Sequence, residues 1–211
     1  MGKGYSHLNA WALSAILRFQ EEDLRSIATG FYTKGHSSEL DNAHEISEGD
    51  LTIKLQDEMG FYPTDVEVLL NFFHLNDNKN RGVVDIRKYL VSLSPISCSS
   101  IPCMFLFSLN MMDYKNEQFI SKRDLHMIVR LINDSLRFLG DKSLTVHQVD
   151  DLVDSVYTAA GKIDGDLFYP DFIEYLSNHP MVQLLTSVQF QGTIQSKLMD
   201  EEAIEKMTNL Y

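Results

Sequence analysis

The sequence predicts an all-α fold of two lobes, built from helix–loop–helix units that meet through short inter-loop β-pairings. Three observations lead there. Apolar residues recur at helical spacing along nearly the whole chain, whereas strand-like alternation is almost absent. Three polar segments share one layout, each lying between amphipathic runs. A stretch rich in proline and serine, Ser94 to Pro102, divides the chain near its middle. The expected organisation is an N-terminal segment and helix over 1–19, an N-terminal lobe over 20–94, a linker over 95–102, a C-terminal lobe over 103–180 and a tail over 181–211.

Composition narrows the function. The chain has 211 residues, 44% of them hydrophobic, enough to bury a core. No apolar run approaches the roughly 18 residues that span a bilayer, and the N-terminus lacks the charged-then-apolar order of a secretory signal. A soluble, cytoplasmic protein is expected. Cys98 and Cys103 have no His or Cys cluster near them and read as reduced thiols. With 18 Lys+Arg against 30 Asp+Glu the net charge is −12, and no basic stripe is present, which argues against nucleic acid. The acidity reads either as a solvated surface or as that of a protein built to hold cations.

The elements follow in order. Leu8, Trp11, Ala15, Ile16 and Phe19 form one helical stripe, and Leu24, Ile27, Ala28 and Phe31 a second, placing a helix at 20–34. The polar run Gly35 to Glu45 reads as a loop. Ser47 with Asp50 caps a helix over 47–58 that Gly60 ends, and Thr64 with Glu67 forms a capping box for a helix burying Val66, Leu69, Leu70 and Phe73. Further on, Ser121 with Asp124 opens a helix carrying Leu125, Ile128, Val129, Ile132 and Leu136, which Gly140 closes. Thr145 with Gln148 opens one carrying Val149, Leu152, Val153 and Val156.

The connections are more specific than the helices. Asp77 to Lys88, Asp113 to Asp124 and Ala160 to Asp171 each place an aliphatic residue (Val84, Ile120, Leu167) at the eighth of twelve positions. Gly82 and Gly165 fill the sixth position, where Gln118 stands in the middle loop. This is the EF-hand layout, in which the eighth residues of partner loops pair and the ninth caps the exiting helix. Asp85 and Ser121 can cap; Phe168 cannot. A first hand would join the helices at 20–34 and 47–58 through an irregular loop.

Calcium takes its ligands from positions 1, 3, 5, 9 and 12 and from the backbone carbonyl at 7. In the first loop Lys79, Arg81 and Lys88 stand at 3, 5 and 12, so Asp77, Gly82 and Asp85 belong to a degenerate loop. In the last, Ala160, Lys162 and Phe168 replace ligands, leaving Asp164 and Asp171 beside Gly165. The middle loop keeps Asp113, Glu117, Ser121 and Asp124 and is the one candidate for Ca²⁺ or Mg²⁺. No other cofactor is expected. A hand without an ion has nothing to drive opening, so the lobes should hold one arrangement and grip an amphipathic helix constitutively. Met104, Met111, Met112 and Met127 are candidates for lining that groove, against their commoner use as core filler.

The order Phe119-Ile120-Ser121-Lys122-Arg123-Asp124-Leu125, the pair Phe31-Tyr32, Gly60 before Thr64, and Asp164-Gly165-Asp166-Leu167 with Asp171-Phe172 resemble the EF-hand branch that contains calaxin, the calcium- and integrin-binding proteins and calcineurin B. The likeness runs over roughly 18–190, and length and tail are most similar to the calaxin group. It implies a four-hand fold without enzymatic activity and, for that group, attachment to coiled-coil docking components of ciliary outer dynein arms. The missing ligands depart from the family and put calcium regulation in doubt.

Met1-Gly2-Lys3-Gly4-Tyr5-Ser6 matches the myristoylation pattern, with Gly2 as acceptor. One such chain binds membranes only marginally without a basic patch. The leading expectation is a non-catalytic adaptor in a cytoskeletal, axonemal assembly. The alternatives are a calcium sensor using the Asp113 loop and a myristoylated channel or receptor adaptor. His126 and His147 lie beside acids on helices but without a nucleophile or metal spacing, so an enzyme is disfavoured. Val188, Phe190, Ile194 and Leu198 make the tail a candidate to fold back or dock.

Overall fold

The computed structural model describes residue 29 and residues 44–186, apart from 78, 98, 99, 114, 140 and 141. Gly2 and the helices expected before residue 35 therefore lie outside the described residues, Thr29 excepted, as do Gly140 and the tail beyond 186.

The chain enters through β1 (Glu45–Ser47) into α1 (Glu48–Ile53), which widens into a π-helical turn over Lys54–Glu58. Then come α2 (Pro63–Asn76), β2 (Val83–Asp85), α3 (Ile86–Ser97), α4 (Ile101–Met112), β3 (Phe119–Ser121), α5 (Lys122–Phe138), α6 (Val146–Ala159), β4 (Asp166–Phe168), α7 (Tyr169–Asn178) and α8 (Pro180–Thr186). The described residues are thus mostly helical. Its strands form two antiparallel pairs, β1 with β2 and β3 with β4. Ile120 pairs with Leu167, as their equivalent loop positions predict, but Val84 pairs with Ile46. Glu45, assigned to a loop, begins that strand, and three residues are too short a run for alternation to reveal it.

Local chemistry sets most helix starts. Ser47 and Ser121 each accept a hydrogen bond from the backbone N–H three residues on, at 3.1 Å. Thr145 and Gln148 make both arms of a capping box. Asp85 Oδ1 accepts from the Arg87 N–H at 3.0 Å, and Phe168 makes no side-chain cap. Gly60, at φ 73°, ends the α1 unit. The Thr64–Glu67 box is corrected: α2 starts on Pro63, with Tyr62 at the N-cap, two residues before Thr64. Proline has no N–H to lose at the first helical position and its φ is already helical.

The Pro/Ser segment also reads differently in three dimensions. α3 runs through Pro95 to Ser97, and α4 starts at Ile101. Pro95 cannot donate to the Val91 carbonyl; Ser94 Oγ donates to it instead, at 2.7 Å. Ser92, Ser97 and Ser108 likewise bond back to carbonyls four residues earlier, so these buried hydroxyls are satisfied inside helices.

One hydrophobic core runs through both halves. α3 packs against α4 and α5, so the first half leans on the second across the expected linker. Phe72 meets Phe138 edge-on, centroids 5.4 Å apart. The predicted faces of α5 and α6 are buried in full, and α8 adds Val182 and Leu185, extending the packed body into what the sequence assigns to the tail. Buried Asn133 pins the α5–α6 connector by bonding both the N–H and the carbonyl of Leu144, at 2.6 and 3.1 Å.

Candidate functional site

The three loops lie at the helix ends beside the strand pairs, and two of them are near copies. Asp77 closes α2, and its carboxylate accepts the N–H groups of Arg81 and Gly82 at 2.9 and 2.8 Å. Asp113 closes α4, and accepts from Glu117 and Gln118 at 3.2 and 2.7 Å. Left-handed residues recur in step: Asn80 and Gly82 at φ 50° and 70°, Asn116 and Gln118 at φ 54° and 63°. The first carboxylate of each loop therefore organises backbone donors. Those hydrogen bonds, the Arg81 bond foremost, hold the Asp77 carboxyl below its ordinary range, helped by the Arg81 charge.

In the first loop the two arginines pair with neighbouring carboxylates. Arg81 Nη2 reaches Glu45 Oε1 on β1 at 2.9 Å. Arg87 grips Asp85 with two bonds, Nε to Oδ1 at 3.0 Å and Nη2 to Oδ2 at 2.7 Å. Burial pushes the Asp85 carboxyl up, but the Arg87 bonds and charge outweigh it and hold it down. Burial and the Arg87 charge keep neighbouring His44 below its usual value, with Asp85 opposing. Lys79 and Lys88 line the same cleft.

The last loop, lacking a carboxylate at its first position, is tied differently. Lys162, at position 3, extends its ammonium to the carbonyl of Asp166, at position 7, at 2.5 Å. That carbonyl is the backbone oxygen that an EF-hand layout gives to calcium. Tyr157 donates to the preceding carbonyl, Gly165, at 2.7 Å, and Gly165 N–H bonds the Asp164 carboxylate. Gly161 and Gly165 take φ 67° and 92°. Asp171, exposed, stands in the first turn of α7.

In the middle loop the candidate ligands are spoken for or dispersed. Ser121 Oγ and Asp124 Oδ2 bond each other at 2.7 Å as part of the α5 cap, Asp113 holds the loop backbone, and Glu117 is exposed. Among the described residues, no group of three or more His, Cys, Asp or Glu side chains is placed to hold a metal ion. Of the methionines expected to line a groove, Met104 and Met112 are instead buried in the core, and Met111 and Met127 are half-buried against it. His126 Nε2 lies 2.8 Å from Asp150 Oδ1, and His147 is exposed.

One surface escaped the sequence reading. Ile120 and Leu167 face the core, so Phe119 and Phe168 face outward, with ring centroids 5.4 Å apart. The alternation about the eighth loop position could have revealed them. No protein-family model matches the chain, and no curated protein matches it by sequence.

Proposed function

We propose that this chain is a non-catalytic adaptor of the EF-hand type that holds an amphipathic or coiled-coil helix of a larger cytoskeletal assembly without needing calcium. The observation that carries the reading is the Lys162 ammonium on the position-7 carbonyl of its own loop, a tethered cation where an ion would sit. In the first loop Arg81, at position 5, pairs with Glu45 of β1, and Arg87 pairs with Asp85, the residue at position 9. A loop closed by its own side chains has no ion-dependent second state, so ion binding cannot bias an opening of the helices. The two loop-to-loop strand pairs and the near-identical Asp77 and Asp113 turns support the EF-hand layout itself. The family resemblance supports a coiled-coil partner of the axonemal kind.

The test is affinity purification of the full-length protein from ciliated cells, in chelator and in millimolar Ca²⁺, with mass spectrometry. One stoichiometric helical partner retained in chelator is the expected result. A partner retained only with calcium would favour the sensor reading through the Asp113 loop and overturn this one.

A further inference from the structure

The outward face of the β3–β4 ladder opens a groove that the helix-holding reading leaves without an assigned role. Phe119 and Phe168 form one wall, Ala159 and Ala160 at the end of α6 leave space, and Phe172 and Tyr175 of α7 complete it. Phe119 is 46% exposed and Tyr175 40%, whereas eight of the other twelve aromatic side chains among the described residues are buried, Tyr62 alone being more exposed. Contiguous aromatics held open to water mark interaction surfaces more often than solitary exposed residues do.

The charges around the groove select its occupant. Asp166 shares the outward ladder face with Phe168, Asp171 lines the groove, and Asp164 is exposed in the adjoining loop. The lining lysine, Lys162, has its ammonium on the Asp166 carbonyl. The Tyr157 phenol nearby is pushed up to about 12, by burial first and then by the charges of Asp164, Asp166 and Asp124. The chain's own residues 187–211 are a poor match: Asp200, Glu201, Glu202 and Glu205 outnumber Lys197 and Lys206. A second copy, at net charge −12, is poorer still.

We infer that the groove between the β3–β4 ladder and α7 is the docking site for a basic amphipathic helix, its apolar stripe on Phe119, Phe168 and Tyr175 and its Lys or Arg residues beside Asp166 and Asp171. The helical character of the occupant rests on the proposed adaptor function; the location and the basic charge rest on the groove. The probes are two designed helices of roughly 15 residues, one of Leu and Lys and one of Leu and Glu, titrated by calorimetry into the full-length protein. The Leu/Lys helix is expected to bind and the Leu/Glu helix not. Phe119→Ser with Phe168→Ser should weaken binding about tenfold or more, Asp166→Lys should weaken it too, and Ile53→Ser, at an exposed apolar residue in the other half, should leave it unchanged. Tyr175→Ser, outside the ladder, replaces the double variant if circular dichroism shows that variant unfolded. Wild-type affinity in the groove variants would overturn the location and leave the adaptor reading standing, whereas failure of both helices to bind wild type would overturn the inference together with that reading's helix. Equal affinity for both helices would overturn the charge selection. Binding that appears only after deletion of 187–211 would mean the groove is occupied by the chain's own C-terminus, and self-association abolished by the double variant would mean a second copy; either result overturns the proposal.

Discussion

Gln118 and Gly82 occupy the same step of two nearly superimposable turns, both with positive φ, and only one of them is glycine. A side chain in the left-handed region costs about 1–2 kcal/mol, partly offset by the greater freedom glycine loses on folding, about 0.5–1 kcal/mol. Gln118→Gly should therefore raise stability by up to about 1 kcal/mol, and Gly82→Gln should lower it by a similar amount. Urea unfolding of both variants checks this, and a loss of stability in Gln118→Gly would show that the side chain makes a contact outweighing the strain. Lys162 makes a second residue-scale claim. Removing the ammonium alone leaves Ala160 and Phe168 without ligand oxygens, so Lys162→Gln should give no calcium heat. Ala160→Asp, Lys162→Asp and Phe168→Asp combined should give one at millimolar Ca²⁺. Silence from the triple variant would mean that the turn, not the cation, excludes the ion.

Helix starts were legible in the sequence where the cap is a contact between residues three apart, as at Ser47, Ser121 and Thr145. They were not where proline overrode the pattern, as at Pro63, or where a serine's role depended on the next turn. Ser94 shows why. Read alone, a Ser-Pro pair signals a break; in α3 the hydroxyl supplies the bond that Pro95 cannot, and it also meets Ser108 Oγ of α4 at 3.2 Å. Ser94→Ala should cost about 1–3 kcal/mol, since it strips the buried Val91 carbonyl of its donor. In a Pro95→Ala background the restored N–H can serve the Val91 carbonyl, and the same substitution should cost about 1 kcal/mol or less. A double-mutant cycle without coupling would sink this account. The groove walls illustrate the other limit, because Phe119 and Phe168 become neighbours only through pairing across 49 residues of sequence, as their register shows.

At the scale of the molecule, the helical class was readable from periodicity, but the independence of two lobes was not, because whether α3 contacts α5 is decided by packing rather than pattern. With one shared core, thermal and urea unfolding should follow a single transition by far-ultraviolet and aromatic signals alike; two resolved transitions would show separable lobes. That transition should also depend on pH in two stages. His44 and His179 are both held below the ordinary imidazole value of 6.5, burial being the leading cause, and Asp77 and Asp85 are held below the ordinary 3.8. For each histidine the unfolded chain takes up its proton first, so the stabilising difference is complete above 6.5 and declines as pH falls below it. For each carboxylate the folded state resists protonation, so its contribution is present above 3.8 and disappears as pH falls from there through the lower folded value. The urea midpoint should thus fall gently from about pH 7 to about pH 5 and more steeply below about pH 4. His44→Gln with His179→Gln should flatten the first stage and leave the second, while Asp85→Asn should soften the second. A first stage that persists at full size in the double histidine variant would assign the proton uptake to other groups and leave the burial of these two rings without consequence for stability.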